Sequence, residues 1–383
     1  MSCVTCPLAA AEFRGLGDLP GGGFASMANG VTADGNTIVG LATVEANQIG
    51  FIWRDEAGML PVTVAYHLST AAIAVSDDGS RITGDFFDLD DVPRERIRLP
   101  FRWKLGDDFL EGLGGLAEVT PDDSAFASDI SANGSVVVGM TTSEHGEEGF
   151  IWTAGVGMRG IGDLPGGSFF SEANAVSADG TRVVGRSTGE RGEEAFIWDA
   201  DHGMVGLGFL NDNERWSRAM AMSPNARFVV GQAASAAGTV AFLWTLEDGM
   251  REIGDLPAGI GLSVADAVSA DGSVVVGAGH DDAGQQAIFW SESTGLIALK
   301  DLLAQQGLGD QLAGWRLTYA HDISDDGRVI VGEGWNPQGE YEAWRAVVNP
   351  VPEPSTLALG SLTMLALTWI RQRRIRTLVG AAD

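Results

Sequence analysis

The sequence predicts an all-β fold, a seven-bladed β-propeller of four-stranded blades. Three observations predict it. A glycine ending a β-branched run recurs at Gly40, Gly84, Gly139, Gly185, Gly231, Gly277 and Gly332, and a tryptophan follows each at Trp53, Trp103, Trp152, Trp198, Trp244, Trp290 and Trp344. The glycine-to-tryptophan spacing is 13, 19, 13, 13, 13, 13 and 12 residues, and the period of 44–55 residues is that of blade-type β-repeats rather than helical or leucine-rich ones. The third observation concerns the ends. The seventh unit has strand-like segments YAHDIS, RVIVGEG and EAWRAVV and no fourth, whereas the chain starts with an orphan segment, FRGLGDL at 13–19. That orphan would complete the last blade and close the ring, satisfying strand edges otherwise left open. An open β-solenoid is the alternative arrangement.

Each unit resolves into four short strands. The first is small and polar, as in SEANAVS and SVADAVS. A tight turn follows (ADG, DDG or ANG), in which Gly35, Gly79, Gly134, Gly180, Gly272 and Gly327 supply positive φ. Unit five carries Asn225 and Ala226 there, which predicts a looser turn. The second strand is a run such as SVVVG or TRVVG, the third is aromatic and apolar (AFIW), and the fourth follows a Gly-Met turn, as in GMRGIGDL. Helix signals are confined to residues 298–306. The repeated tryptophans are expected to pack between blades. The repeated Asp34, Asp179 and Asp271 are expected to bond local turn backbone; calcium on these acidic turns is the sharper reading, although no DxDxDG loop is present.

Charge and cysteine content narrow the function. The net charge is −28; residues 351–383 contribute +2, leaving −30 on the rest of the chain. So acidic a body repels nucleic acid and anionic lipid, and leaves cations, neutral sugars and basic proteins as partners. The only cysteines are Cys3 and Cys6, so no disulfide framework is expected, and a lone terminal CxxC is weak grounds for zinc or redox chemistry. No cofactor is implied.

These units resemble the HAF extracellular repeat family. The matching phrases are GDLPGGGFASMANGVTADGNTIVG, GDLPGGSFFSEANAVSADGTRVVG and GDLPAGIGLSVADAVSADGSVVVG, and the likeness covers roughly residues 13–347, with unit two the most divergent. The resemblance implies an exported location and a repeat architecture and does not imply a reaction. The C-terminus resembles a PEP-CTERM sorting signal. Its parts are Val351, Pro352, Glu353 and Pro354, an apolar stretch at 356–370, and a basic cluster of Arg371, Arg373, Arg374 and Arg376. An apolar segment of 15 residues is slightly short for a full span, where about 20 is typical, and Trp369 beside the arginines suits a membrane interface. A single hydrophobic helix is expected there. By resemblance such tails are processed by an exosortase, which would leave the protein at the cell surface or in the extracellular matrix after transient membrane anchoring. The expected division is thus 1–12 as the remnant of an export signal or disordered, 13–350 as the propeller, 351–376 as the sorting signal, and 377–383 as a tail. The start MSCVTCPLAAAEF lacks a basic region and a long apolar run, which predicts that the true start lies upstream.

Where a ligand would bind follows from the loops. The first-to-second and third-to-fourth turns share one face and are nearly uniform. Variation lies on the other face, including the long stretches 85–100 and 303–315. Aromatics gather there: Phe86, Phe87, Phe169, Trp216, Trp315 and Trp335. Such rings suit sugar faces, and the alternative is that each packs under its own loop. Asp129, Asp266, His321 and Asp322 fall on or near the channel-lining first strands. Paired carboxylates there would suit glycoside hydrolysis, but in the sequence they differ from blade to blade, and no GxSxG elbow, HExxH or Walker loop accompanies them. Three functions remain: a noncatalytic binding module for extracellular polysaccharide or another cell-envelope component, a structural or protein–protein adhesion propeller, and a hydrolase of an extracellular polymer.

Overall fold

The computed structural model describes residues 10–45, 47–62, 69–87, 98–117 and 125–350. Within them the chain forms seven sheets, each of four strands in sequential antiparallel order. Blade four shows the unit, with strands Gly166–Val176, Arg182–Gly189, Gly192–Asp199 and Gly203–Gly206. Blade seven takes Arg316–Ile323, Val329–Trp335 and Tyr341–Val347 from the end of the ring and Glu12–Gly17 from its beginning. The closing strand therefore runs 12–17 rather than 13–19, with Gly15 opposite Trp344. A short helix, Leu299–Leu303, continues into a π-turn, Ala304–Leu308, which overlaps the expected stretch 298–306 and runs two residues beyond it. The sorting motif, the apolar stretch 356–370 and the arginine cluster lie outside the described residues, as do residues 1–9. Among the described residues no helix is long and apolar enough to cross a membrane.

The repeated residues are explained one by one by what joins the blades. In the first turn of blade four, Ser177 Oγ donates to Asp179 Oδ1 (2.7 Å) and accepts from the Arg182 N–H (3.0 Å), while the Gly180 N–H donates to the Ser177 carbonyl (2.8 Å). The hydroxyl-to-carboxylate bond recurs at Thr32/Asp34, Ser76/Asp78, Ser269/Asp271 and Ser324/Asp326. The turn of blade five is not looser. Ser223 Oγ bonds Asn225, the Ala226 N–H reaches the Ser223 carbonyl at 2.8 Å, and Ala226 is held in the left-handed region at φ 54. The hydrogen bonds of the turn override the preference of alanine.

A second set of pegs crosses between blades. A buried inner-strand serine two residues before the bulge alanine accepts an N–H from the third strand of the preceding blade: Gly149 to Ser171, Ala195 to Ser217, Ala241 to Ser263, and, across the ring closure, Ala343 to Ser26 (2.9–3.0 Å). The same hydroxyls of Ser26, Ser171, Ser217 and Ser263 donate to a glycine carbonyl at the end of the preceding blade. At these four junctions neighbouring blades are thereby stitched through a group that would cost free energy if buried unpaired.

The glycine within each second strand has a steric cause. It stands opposite an inner-strand alanine (Ala173 opposite Gly185 in blade four), and a β-bulge follows that alanine in all seven blades. At the bulge the inner strand comes so close that a Cβ on Gly185 would lie 1.8 Å from the Glu172 carbonyl oxygen, and the other six glycines meet a carbonyl at 1.9–2.1 Å. Only glycine fits.

The tryptophans occupy one position in six blades and another in the seventh. Trp53, Trp103, Trp152, Trp198, Trp244 and Trp290 each pair with the second-strand residue two before the glycine, whereas Trp344 lies opposite Gly332 itself, where Phe51 stands in blade one. Ala346 takes the tryptophan position of blade seven. The shortened spacing of 12 in that unit thus marks a change of role; Trp344 is fully buried in the cluster with Phe13 and Trp315.

Candidate functional site

The bulges that demand the glycines also build the central channel. A bulge redirects one extra side chain out of the ladder. In blades one to seven that residue is Asn29, Ile73, Ser128, Asn174, Met220, Asp266 and His321, and all seven line one axial cavity of about 360 Å³. The residues just beyond them are small except at Asp129 and Asp322. Toward the turn face the wall continues through Asp77 and Asp325. Asp129, Asp266, Asp322 and His321, dispersed in the sequence, therefore meet around one space, and Asp77 and Asp325 join them. These last two look like ordinary turn residues in the sequence; their signal was their departure from the alanine or proline found at the same place in the other blades.

The mouth on the turn face is knitted by backbone. The N–H groups of Asp77, Ala132 and Ala178 donate to the carbonyls of Ala132, Ala178 and Pro224 in the next blades, and those of Ala270 and Asp325 to Asp325 and Ala33 (3.0–3.1 Å). Pro224 has no N–H to give, and the Asn225 side chain reaches the Ala270 carbonyl in its place at 3.4 Å.

The channel carboxylates fall into two kinds. Asp129 accepts the Ile130 N–H on one oxygen (2.7 Å) and the Val176 N–H of the next blade on the other (2.8 Å). Asp322 does the same with Ile323 and, across the closure, Val31, both at 2.8 Å. Burial pushes each up to about 7 against the pull of these donors, and the Asp322 charge adds to the rise at Asp129. Asp266 differs. Burial raises it to about 6, opposed by His321 and by a hydrogen bond from the Tyr319 hydroxyl, and its Oδ2 has no partner. Tyr319 stacks on His321 with ring centroids 4.4 Å apart, and His321 Nε2 stands 3.4 Å from Glu333 Oε1. Asp77 and Asp325 are also raised, by burial first and neighbouring carboxylates second. Among the described residues no three side chains are grouped as metal ligands.

The aromatics of the variable face do not form one platform. Trp315 is buried, with its edge on Phe13 at 5.1 Å, because the closing strand covers it. It is not an exposed aromatic. Phe86 is half-buried against the cluster that holds Phe101 and Trp103. Phe169 leans on His145 and Trp216 lies beside the Arg218 guanidinium, both half-buried. The backbone of Phe87 belongs to the strand Arg81–Phe87, and its side chain lies outside the described residues. Among those with described side chains, Trp335 alone is exposed, at 41%, with its ring against Tyr341 at 5.1 Å. A backbone bridge from Ala25 to Tyr341 brings the exposed Phe24 segment alongside.

Fold and channel together define a closed seven-bladed β-propeller. Among solved structures, an oligogalacturonate lyase from Vibrio parahaemolyticus superposes with a TM-score of 0.52 at 11% identity, over 90% of this chain and 98% of that one. A prolyl endopeptidase gives 0.50 at 9% identity over 85% of this chain, which spans only 50% of the enzyme. TolB from Agrobacterium tumefaciens gives 0.45 at 15% identity over 82% and 99%. The chain likewise spans about half, 52%, of the TolB of Acinetobacter baumannii. At such identities the likeness concerns the fold alone. No protein-family model and no curated protein sequence matches the chain.

Proposed function

We propose that the protein is an exported, noncatalytic binding module for an extracellular polysaccharide or another cell-envelope component. Trp335 carries the reading: a large aromatic face exposed at 41%, backed by Tyr341, beside Phe24 and a loop rich in polar side chains. Rings of this kind bury the apolar face of a sugar while amides and carboxylates nearby take its hydroxyls. Two further features support a binding role. Asp129 and Asp322 each bond a backbone N–H of their own strand with one oxygen and a backbone N–H of the neighbouring blade with the other, which gives both a role in joining blades. The sequence from Val351 to Arg376 resembles a sorting signal that an exosortase-type enzyme processes, which supports export with transient membrane anchoring. A glycan array probed with the full chain and with Trp335→Ala tests the reading. Selective binding lost in the variant supports it, and binding to one dominant protein with no glycan affinity would replace it by an adhesion role.

One observation favours a second reading, hydrolysis of an extracellular polymer. Asp266 and His321 share the channel wall, and Asp266 Oδ2 and His321 Nε2 both lack hydrogen-bond partners. Turnover of any polymer that Asp266→Asn abolishes would establish that reading.

A further inference from the structure

The repeat supplies its own control for a second site, on the face opposite Trp335. At three junctions an arginine of one blade's fourth strand covers the tryptophan of the next blade's third strand: Arg14 over Trp53 at 4.5 Å, Arg159 over Trp198 at 5.2 Å, and Arg251 over Trp290 at 5.1 Å from guanidinium carbon to ring centroid. Trp152 is covered from elsewhere, by Arg102 at 4.6 Å. Trp103 is covered by its own blade's turn, where the Asp107 carbonyl accepts its indole N–H. These five tryptophans are 4–7% exposed.

Trp244 is the exception. The residue in register with Arg159 and Arg251 on the facing strand is Val205, opposite Ile197 as Arg159 is opposite Ile151. Valine is too short to reach across. Trp244 is half-buried, and so is Ile197, although Ile52, Ile151 and Leu243 at its place in three other blades are buried. With valine there, a groove of about 720 Å³ lies between blades four and five, walled by Ile197, Val205, Phe228 and Leu246 with Trp244 on its lining; the cavity at the covered junction of blades three and four, where Arg159 is present, is smaller at about 520 Å³. Asp199, Glu247 and Asp248 stand on its rim against Arg182 and Arg227, and Asp199 is engaged by His202.

We propose that this groove is a docking site for an arginine side chain of a basic partner polypeptide, which stacks over Trp244 where Val205 leaves the ring uncovered. Three junctions of the same ring show the geometry of a guanidinium on this surface, and an indole face is the strongest aromatic partner for such a cation. The apolar walls would take the methylene stem and the flanking side chains. A chain of net charge −28 draws in basic segments and disfavours acidic ones. The site lies apart from the channel and from Trp335, and it does not depend on the reading given above.

The test is an indole ¹⁵N NMR titration of the full chain with a capped tripeptide carrying arginine between two leucines. The same peptide with citrulline, which keeps the shape and loses the charge, is the control. The Trp244 signal is assigned by its disappearance in Trp244→Phe. The expected result is a saturable shift confined to Trp244, about tenfold weaker with citrulline, and absent in Val205→Arg, where the chain supplies its own guanidinium. No shift at millimolar peptide, an equal response to citrulline, or an unchanged response in a folded Val205→Arg protein would overturn the proposal. The citrulline comparison stands even if that variant does not fold.

Discussion

The turn ring and the channel wall lie a few residues apart on the same seven inner strands, yet one is uniform and the other is not. In the turn, Ser177 and Asp179 and their counterparts make the same hydrogen bonds in blade after blade. Three residues before the turn serine, the bulge position carries Asn, Ile, Ser, Asn, Met, Asp and His in turn. The difference teaches what the repetition is for. A residue repeats where every blade needs the same peg, and it varies where its side chain points into the channel, where only some blades, through Asn29 on Ala72 and Asn174 on Ala219, use it to bond the next blade. Glycine, alanine, serine and tryptophan hold this molecule together; Asp266, His321, Trp335 and Val205 are departures from the repeat, and those are where specificity can reside.

The sharpest way to break the comparison is to mutate neighbours across it. Gly185→Ala forces a Cβ to within 1.8 Å of the Glu172 carbonyl, against backbone that cannot yield. It should cost more than about 3 kcal/mol, visible as failure to fold or a collapse of the thermal midpoint. Met220→Ala, at the bulge position of the next blade and facing the cavity, should cost less than about 1.5 kcal/mol by the same measurement. Similar losses for the two would erase the distinction.

Next in size is pH. The folded-state values of Asp129 and Asp322 are raised to about 7, well above those of an unfolded chain, so between roughly pH 4 and 7 the folded protein holds protons that the unfolded one has lost. Stability is therefore fully favoured below that window and falls as pH rises through it. The thermal midpoint should be several degrees higher at pH 5 than at pH 8. Relief of self-repulsion in a chain of net charge −28 acts in the same direction. Asp129→Asn should flatten the slope while lowering stability at both ends, because the amide cannot accept both N–H bonds. A slope unchanged in that variant would assign the dependence to general charge alone.

The smallest effect sharpens the comparison within the uniform ring. Ala226 holds the left-handed position that glycine fills in the other turns. Ala226→Gly should stabilise by about 0.5–1 kcal/mol, relief of the strained φ exceeding the added chain entropy, measured by chemical denaturation.

Much of the fold was legible because the pegs recur at fixed spacing: the glycine needed at each bulge, the turn serine and aspartate, and the tryptophan between blades. The ring closure was legible because a strand was missing at one end and spare at the other. The misreadings have specific causes. Asn225 and Ala226 read as a loose turn because residue preference alone carries no information on the hydrogen bonds that overrule it. Trp344 kept nearly the expected spacing while sitting at the phenylalanine position, two residues out of register. Trp315 looked exposed because Phe13, which covers it, is some three hundred residues away in the chain. Of the site, Asp129, Asp266, His321 and Asp322 could be named from the sequence. That they share a cavity could not, because the convergence comes from seven bulges acting together. Nor was the open groove visible: GMVG and GMRG read as the same turn until the valine is set against the tryptophan it fails to cover.

The claim that binding resides where the repeat is broken is tested most directly at Trp335. Affinity of the full chain for array-selected glycan should be measured for the native protein and for Trp335→Ala, with the thermal midpoint of each. A loss of affinity of about tenfold or more is expected with the midpoint nearly unchanged, since the ring is 41% exposed and its stacking partner Tyr341 stays in place in the variant. Undiminished binding in the variant, or a loss that only accompanies unfolding, would contradict it.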